Sequence, residues 1–136
     1  MTIIFTRKKA MYTKKKPEDL DCGIEVAIKV FISKWKPCLL DYINKGKRRP
    51  SEIHRALSSA TPRVLNMQLK ELEQYQVVTK KIYPGLPPKV EYYLTEMGKS
   101  IIPIVEQMDE WGKKNNEQIK RITELQKIVV KMNNLK

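Results

Sequence analysis

The chain has 136 residues, and its 27 Lys and Arg against 15 Asp and Glu leave a formal net charge of +12 at pH 7. This length accommodates one domain with a hydrophobic core, and the positive charge favours an acidic partner, either a nucleic acid or an anionic membrane surface. An enzyme is a poor interpretation, because the sequence has one histidine, no zinc-type Cys/His spacing, no phosphate-binding glycine loop and no plausible catalytic dyad. We therefore expect neither a cofactor nor a bound metal.

The expected compartment follows from what the sequence lacks. It contains no run of about 18 apolar residues that could span a bilayer, and its N-terminal lysines follow a short apolar stretch instead of preceding one, unlike a secretory signal. Two cysteines in a chain with an adequate core do not form a disulfide framework. We expect a soluble cytoplasmic protein with reduced thiols and no membrane contact.

The first third of the chain predicts a basic arm and two helices. Residues 1–20 carry six basic side chains and end in a proline and two acidic residues, which is typical of an arm outside the core. An apolar stripe then predicts a first core helix, and "KWKPCLLDYINKG" predicts a second one that ends before Gly46. The inward residues are Ile24, Ala27, Ile28 and Phe31 in the first helix, and Leu39, Leu40 and Ile43 in the second.

Two further helices follow, joined by a short turn. In "RPSEIHRAL", Ser51 is the expected cap, and Ile53 with Leu57 supplies a small apolar face. In "TPRVLNMQLKELEQ", Thr61 is the expected N-cap and Pro62 the first helical residue, because proline lacks only a donor that would have no partner there. The i, i+4, i+7 spacing turns three residues of this helix towards the core, namely Leu65, Leu69 and Leu72.

The second half predicts a hairpin and two helical segments. β-Branched and aromatic residues lie on both sides of a Pro- and Gly-rich turn at 84–88, as in a β hairpin. Thr95 is the expected cap of a fifth helix, which Pro103 should kink or restart. A final segment from about Glu117 to Met132 has 3-4-3 apolar spacing and needs a partner helix. The apolar residues are Ile101, Ile104, Val105, Met108 and Trp111 in the fifth helix, and Ile122, Leu125, Val129 and Met132 in the final segment.

A helix, a short turn, a second capped helix and a basic hairpin are together typical of a winged helix-turn-helix, whose second helix enters the DNA major groove. With its leucines inward, that helix carries side chains on its opposite face that hydrogen-bond to base edges and phosphates. A solvated helix face is the plain alternative, but basic residues on the hairpin and before the motif favour DNA. The predicted DNA-binding residues are Thr61, Arg63, Asn66, Met67, Lys70 and Gln74 on the helix, Lys80, Lys81 and Lys89 on the hairpin, and Arg48 and Arg49 before the motif.

Four blocks of the sequence resemble the HxlR-type winged helix regulators, relatives of the MarR group. They lie within residues 22–114 and read "CGIEVAIKVFISKWKPCLLDYI", "RPSEIHRAL", "TPRVLNMQLKELEQ" and "PPKVEYYLTEMGKSIIPIVEQMDEWG". The resemblance implies a homodimeric bacterial or archaeal DNA-binding regulator whose terminal helices form the dimer. The sequence departs from the family pattern at "QYQVV", where an acidic residue and a glycine are usual, and in the tail beyond Asn115, which is longer than the pattern requires.

A few single residues allow separate expectations. Trp35 and Trp111 are most simply anchors of the core, and His54 is expected on an exposed helix face, either solvated or bound to a phosphate. The resemblance implies that Cys22, just before the first helix, senses oxidants or electrophiles, with a packing role as the alternative. Cys38 lies beside two leucines and is expected to be a small buried residue.

These observations predict a mainly α fold with a small β hairpin (α+β), a winged helix-turn-helix with extra terminal helices for dimerisation. The predicted organisation is a basic arm over residues 1–20, the winged helix-turn-helix over 21–115 and a dimerisation helix over 116–136. The predicted function is sequence-specific regulation of transcription by a homodimer on a pseudo-palindromic operator in double-stranded DNA. A sequence-tolerant architectural or single-stranded nucleic-acid-binding protein is the alternative, and the effector, an oxidant or a small molecule, is not identified by the sequence.

Overall fold

The computed structural model describes residues 20–135, so the predicted arm lies outside the described residues except for Leu20. The described residues divide into two compact units, with the boundary between Ser33 and Lys34. Within the described part of the chain, no helix is both long enough and apolar enough to cross a membrane. The architecture is mainly helical with one antiparallel hairpin, as predicted.

The described part of the first unit contains one helix, α1 (Gly23–Phe31), with Cys22 as its N-cap residue. The helix was predicted correctly, but its apolar stripe is not a core face within a single chain. Ile24 is 73% exposed and Ile28 is 52% exposed, whereas Phe31 is buried. Two of the four residues of the stripe are therefore exposed where the periodicity predicted that they would be covered.

The second unit begins with three helices, α2 (Lys36–Asn44), α3 (Pro50–Ala56) and α4 (Pro62–Gln74). Their predicted inward residues form the centre of the core, because each apolar face is covered by a neighbouring element. Gly46 has a φ of 98° just after α2, a left-handed conformation that glycine adopts without steric cost. The fully buried residues are Leu39, Leu40, Ile43, Ile53, Leu65, Leu69 and Leu72.

The start of α3 differs from the prediction. Ser51 lies inside the first turn, and Arg49 is the N-cap residue. Proline at position 50 occupies the first helical position, where its fixed φ is favourable, and this places the cap one residue before it. The backbone N–H of Arg49 donates to the Glu52 carboxylate at 3.2 Å, so a glutamate in the third helical position satisfies this donor.

The start and the end of α4 both have specific backbone geometry. At the start, Thr61 Oγ1 accepts a hydrogen bond from the Val64 N–H at 3.2 Å, as predicted. At the end, Gln76 adopts a φ of +60° in the turn to the hairpin, and the N–H of Val77 donates to the Leu72 carbonyl at 3.0 Å. The departure noted at "QYQVV" is therefore a turn in which a glutamine holds a left-handed conformation usually taken by glycine.

The predicted hairpin consists of β1 (Val78–Tyr83) and β2 (Lys89–Leu94). The strands pair antiparallel from Val78 opposite Leu94 to Tyr83 opposite Lys89. The backbone N–H of Tyr92 donates to the Arg48 carbonyl at 2.8 Å, which attaches the loop between α2 and α3 to the second strand. The hairpin is thus fixed to the helical core at its base.

The chain ends in one helix, α5 (Glu96–Asn134), of 39 residues. Thr95 Oγ1 accepts from the Gly98 N–H at 3.1 Å and caps this helix, as predicted. The two segments predicted separately are continuous, and the expected restart at Pro103 is wrong, because losing one backbone donor near the start of a long helix does not interrupt it. The buried residues of α5 are Gly98, Ile101, Ile102 and Val105.

The two tryptophans predicted as core anchors differ in their exposure to solvent. Trp35 is half-buried and stacks with Lys34, whose Nζ lies 5.0 Å from the ring centroid. Trp111 is 63% exposed, so its prediction as a core anchor is wrong within one chain. It lies on the part of α5 beyond Val105, where no described residue is buried.

Candidate DNA-binding surface

The outward face of α4 contains five of the six residues predicted there to bind DNA, and the sixth, Thr61, is the N-cap residue just before the helix. The three leucines on the inward face are fully buried, so this helix cannot rotate without exposing them. The side chains on the outward face end in guanidinium, amide, ammonium, hydroxyl and thioether groups. The exposed residues are Thr61, Arg63, Asn66, Met67, Lys70 and Gln74.

One polar contact on this face was not predicted from the sequence. His54 Nε2 and Asn66 Oδ1 are 3.0 Å apart, which joins α3 to α4. Since the amide oxygen is an acceptor, Nε2 carries the proton in this contact. The Asn66 NH₂ group and the second lone pair of its oxygen stay available, and these are the groups that pair with an adenine edge. His54 is half-buried, and its two expected roles, a solvated imidazole or a phosphate contact, stay predictions.

The three lysines predicted on the hairpin differ in whether a carboxylate lies close to them. Lys81 and Lys89 are exposed, whereas Lys80 Nζ lies 3.8 Å from the Glu73 carboxylate at the end of α4. The carboxylate of Glu73 already neutralises part of the Lys80 charge, so Lys80 is a weaker candidate for a phosphate contact. Lys81 and Lys89 are therefore the cations of the hairpin best placed for an external anion.

The ring of Tyr93 on β2 contacts one cation from the loop before α3 and one from β1. The guanidinium carbon of Arg48 and the Nζ of Lys81 lie 4.6 Å and 4.7 Å from its ring centroid, a geometry typical of cation–π contacts. Arg48 is half-buried and its Nε has no hydrogen-bond partner, whereas Arg49 is exposed. Of the two arginines predicted before the motif, Arg49 is thus the more available for DNA.

The same face of the hairpin contains a hydroxyl and carboxylate network. The Tyr93 hydroxyl donates to Glu91 at 2.7 Å and lies 3.4 Å from the Tyr83 hydroxyl. The hydrogen bond from Tyr93, together with the charges of Lys89 and Arg49, lowers the pKa of Glu91 despite partial desolvation. The hydrogen bonds to Glu91 and Tyr83 in turn raise the pKa of Tyr93. Glu91 is therefore charged at neutral pH and holds the ring that the cations contact.

An ion pair between a buried lysine and a partly exposed glutamate holds the other side of α4. Lys36 Nζ lies 2.9 Å from Glu71, and the Lys36 side chain is only 8% exposed. A buried ammonium requires a partner of opposite charge, so this pair sets the position of α4 against α2. The sequence indicated neither partner, because the contact joins residues on two helices that are far apart along the chain.

A model of the HxlR-like helix-turn-helix family matches residues 30–121. This chain belongs to that family. A relative from Methanothermobacter thermautotrophicus, named an uncharacterized HTH-type transcriptional regulator, is 46% identical over 92 residues, which cover 68% of this chain and 70% of that protein. The Bacillus subtilis protein YybR, with the same type of name, is 41% identical over 112 residues, which cover 82% of this chain and 86% of YybR.

Solved structures agree with this assignment. The redox regulator HypR in its reduced form is 41% identical, with a TM-score of 0.69 over 74% of this chain and 99% of that one. Diamide-treated YodB from Bacillus subtilis is 28% identical, with a TM-score of 0.58 over 71% of this chain and 96% of that one. The protein is therefore a transcriptional regulator with a winged helix-turn-helix DNA-binding domain.

The two cysteines occupy different environments. Cys22 is half-buried at the start of α1, where its thiol makes no capping hydrogen bond. Cys38 is exposed, so its prediction as a buried residue is wrong, because it lies on the side of α2 opposite the buried leucines. Partial desolvation and the carboxylates of Asp41 and Asp109 raise the pKa of the Cys38 thiol. Exposure makes Cys38 accessible, but the raised pKa lowers its content of reactive thiolate.

Proposed function

We propose that the protein acts as a homodimer on a pseudo-palindromic operator, with α4 of each protomer as the recognition helix of one half-site. The observation that carries this proposal is the outward polar face of α4, which three fully buried leucines and the contact from His54 hold in one orientation. Two such helices should meet successive major grooves about 34 Å apart, or a multiple of that distance.

The side chains of the surface have separate proposed roles. Arg63 and Asn66 read base edges, because guanidinium and amide groups pair with purine acceptors and donors in the major groove. Met67, which is 52% exposed, packs against a thymine methyl group. Lys81 and Lys89 bind phosphates flanking the groove and add affinity without sequence preference.

The dimer is proposed because two apolar surfaces of the described residues are exposed to solvent. One surface is the stripe of α1 with Ile24 and Ile28. The other runs along α5 and consists of Ile104, Met108, Trp111, Ile122, Leu125, Val129 and Met132. Side chains of this size and exposure are typical of an interface between protein chains. We retain the proposed organisation of an arm over 1–20, a DNA-binding domain over 21–115 and a dimerisation extension over 116–136.

The proposal is tested by separating specificity from affinity. The operator is first identified by sequencing DNA fragments selected by the purified protein, and binding is then measured by fluorescence anisotropy on operator and random duplexes. Arg63→Ala and Asn66→Ala should each lose roughly 1–3 kcal/mol of operator preference. Lys81→Ala and Lys89→Ala should weaken binding to both duplexes alike and reduce the salt slope by about 1 each.

The opposite pattern would contradict the assignment of the recognition helix. If all four variants changed operator and random binding equally, α4 would not read sequence. A wild-type protein with nearly equal affinity for the operator and random duplexes would favour the sequence-tolerant architectural alternative. Preference for a single strand over a duplex would favour a single-stranded nucleic-acid-binding protein.

We also propose that Cys22 makes operator binding responsive to oxidants. HypR is described as a redox regulator, and YodB was solved in both a reduced and a diamide-treated form. Peroxide oxidises the Cys22 thiol to a sulfenic acid and releases one water, and a Cys22 thiol from the second protomer then forms the disulfide and releases a second water. The disulfide changes the spacing between the two recognition helices.

Paired cysteine variants test this response. Mild peroxide should lower operator binding by the wild type, and a thiol reductant should restore it. Cys22→Ser should abolish the response, whereas Cys38→Ser should retain most of it, because the raised pKa of Cys38 disfavours its thiolate. Unchanged binding by wild-type protein whose Cys22 is shown by mass spectrometry to be oxidised would leave this cysteine with a packing role only.

A further inference from the structure

The outer face of the hairpin carries two lysines and two tyrosines. Side chains alternate between the two faces of a strand pair, and the inner face contains the buried residues Val78 and Tyr92. On the outer face, the ring of one tyrosine contacts both the neighbouring strand and the loop before α3. The residues of the outer face include Lys81 and Tyr83 on β1 and Lys89, Glu91 and Tyr93 on β2.

Lys81 and Glu91 lie directly opposite each other in the hairpin, yet they do not form an ion pair. Opposite charges at such positions normally interact across the strands, but within residues 20–135 no carboxylate lies within ion-pair distance of Lys81. The Glu91 carboxylate instead accepts a hydrogen bond from the Tyr93 hydroxyl at 2.7 Å, and Lys81 Nζ lies 4.7 Å from the Tyr93 ring centroid. Tyr93 therefore contacts both members of the pair, and their direct neutralisation does not occur.

The neighbouring lysine of β1 shows the alternative arrangement. Lys80 Nζ lies 3.8 Å from the Glu73 carboxylate, whose negative charge offsets part of the lysine charge. An aromatic face attracts a cation through its quadrupole and has no net charge. Contact with Tyr93 thus restricts the position of Lys81 and leaves its positive charge available to an external anion.

Arg48 joins the Tyr93 ring to the helical part of the domain. Its guanidinium carbon lies 4.6 Å from the ring centroid, and its backbone carbonyl accepts from the Tyr92 N–H at 2.8 Å. Arg48 Nε is buried and has no hydrogen-bond partner among the described residues, so the ring face supplies a favourable contact for a guanidinium that is always charged. The loop before α3 therefore helps to fix the ring that Lys81 contacts.

We infer that Tyr93 is a positioning residue for DNA binding, which keeps the Lys81 ammonium ordered and unpaired for a backbone phosphate. This inference rests on the proposed function, in which Lys81 binds a phosphate flanking the major groove. A long side chain that is already ordered loses less conformational entropy on binding. Because a phosphate contact carries no sequence information, Tyr93 should add the same affinity for operator and random duplexes.

The test compares the two tyrosines of the outer face in the full-length protein. By fluorescence anisotropy at one fixed ionic strength, Tyr93→Leu should weaken binding to operator and random duplexes about three- to tenfold. Tyr83→Leu makes the same change on the same face, and no cation of the described residues contacts the Tyr83 ring. The control variant should therefore change the affinity by less than about twofold.

A double variant distinguishes positioning from a structural role in the hairpin. If Tyr93 acts through Lys81, Tyr93→Leu should have no further effect in a chain that also carries Lys81→Ala, so the two changes should not be additive. A loss of hairpin stability would instead weaken binding whether or not the lysine is present. The comparison uses random duplexes as well as the operator.

Tyr93→Phe tests the hydroxyl separately, because it keeps the ring. Loss of the hydroxyl frees the Glu91 carboxylate to pair with Lys81, so binding should weaken, but less than in Tyr93→Leu. Adding Glu91→Gln should restore the affinity by more than Glu91→Gln changes it in the wild type. This comparison keeps the inference testable if Tyr93→Leu does not fold.

Three results would overturn the inference: unchanged DNA binding by Tyr93→Leu, an equal loss in Tyr83→Leu, and a loss of the same size with and without Lys81. Failure of the proposed function gives different results. A protein without operator preference would contradict the role of α4, while the dependence of Tyr93 on Lys81 could still be measured on random duplexes. Unchanged affinity in Lys81→Ala would remove the phosphate contact and this inference together, and would leave the role of α4 intact.

Discussion

The proposed recognition helix α4 and the last part of α5 have the same type of sequence pattern but different surroundings. Both place large apolar residues three or four positions apart on one face. In α4, Leu69 and its two neighbouring leucines are fully buried, whereas Leu125 on α5 is 61% exposed. The comparison shows that periodicity identifies a face that requires cover, and that only the packing of the chain shows whether the same chain supplies it.

The largest expected effect comes from truncating one leucine in each helix. Leu69→Ala should lower the free energy of unfolding by about 2–5 kcal/mol, because it leaves a cavity in a fully packed core. Leu125 packs against another copy of the chain in the proposed dimer, so the cost of Leu125→Ala should depend on protein concentration. Denaturant unfolding at two protein concentrations measures both. A concentration-independent cost of similar size for Leu125→Ala would break the comparison.

A smaller effect is expected from removing one threonine hydroxyl from each helix. Thr61→Ala removes the acceptor for the Val64 N–H and should cost about 1 kcal/mol of stability. Thr123→Ala removes only a hydroxyl that donates to the Ile119 carbonyl in the middle of α5, so the change should stay within about 0.5 kcal/mol. Thermal unfolding followed by circular dichroism compares the two variants. Equal costs would show that the Thr61 cap contributes nothing specific to α4.

The smallest expected effects come from one glycine substitution in each region, and they change the free energy of unfolding in opposite directions. Gln76→Gly should raise the free energy of unfolding by about 0.5 kcal/mol, because relief of the left-handed conformation, worth about 1–2 kcal/mol, exceeds the entropy cost of glycine. Gln126→Gly, in the middle of α5, should lower it by about 1 kcal/mol. Chemical denaturation of both variants decides the signs. Destabilisation by Gln76→Gly would mean that the turn needs the glutamine side chain.

The correct predictions depend on interactions between residues that are close in sequence. The caps Thr61 and Thr95, the hairpin and the inward leucines of α4 all follow from such local patterns. Two of the errors have local causes as well. The Ser51 prediction ignored that Pro50 would occupy the first helical position, and the expectation of a restart at Pro103 overestimated the effect of one lost donor in a long helix.

The candidate site was predictable as a face but not as a set of contacts. The spacing of the leucines placed Arg63, Asn66 and Lys70 on the outward side of α4, and the structure has them there. The pattern could not show that Lys80 pairs with Glu73, because this contact depends on the angle between the hairpin and the end of α4. Exposed cations are therefore easier to identify from a sequence than cations available to a ligand.

The sequence by itself determined the order of the elements, the caps at Thr61 and Thr95, the buried face of α4 and the family, because these depend on periodicity and short-range hydrogen bonds. Only the tertiary structure decided that His54 holds Asn66, that Lys36 pairs with Glu71 and that Trp111 is exposed. Each of these depends on which helices lie side by side. That arrangement results from the packing of many apolar side chains at once, and no single stretch of sequence specifies it.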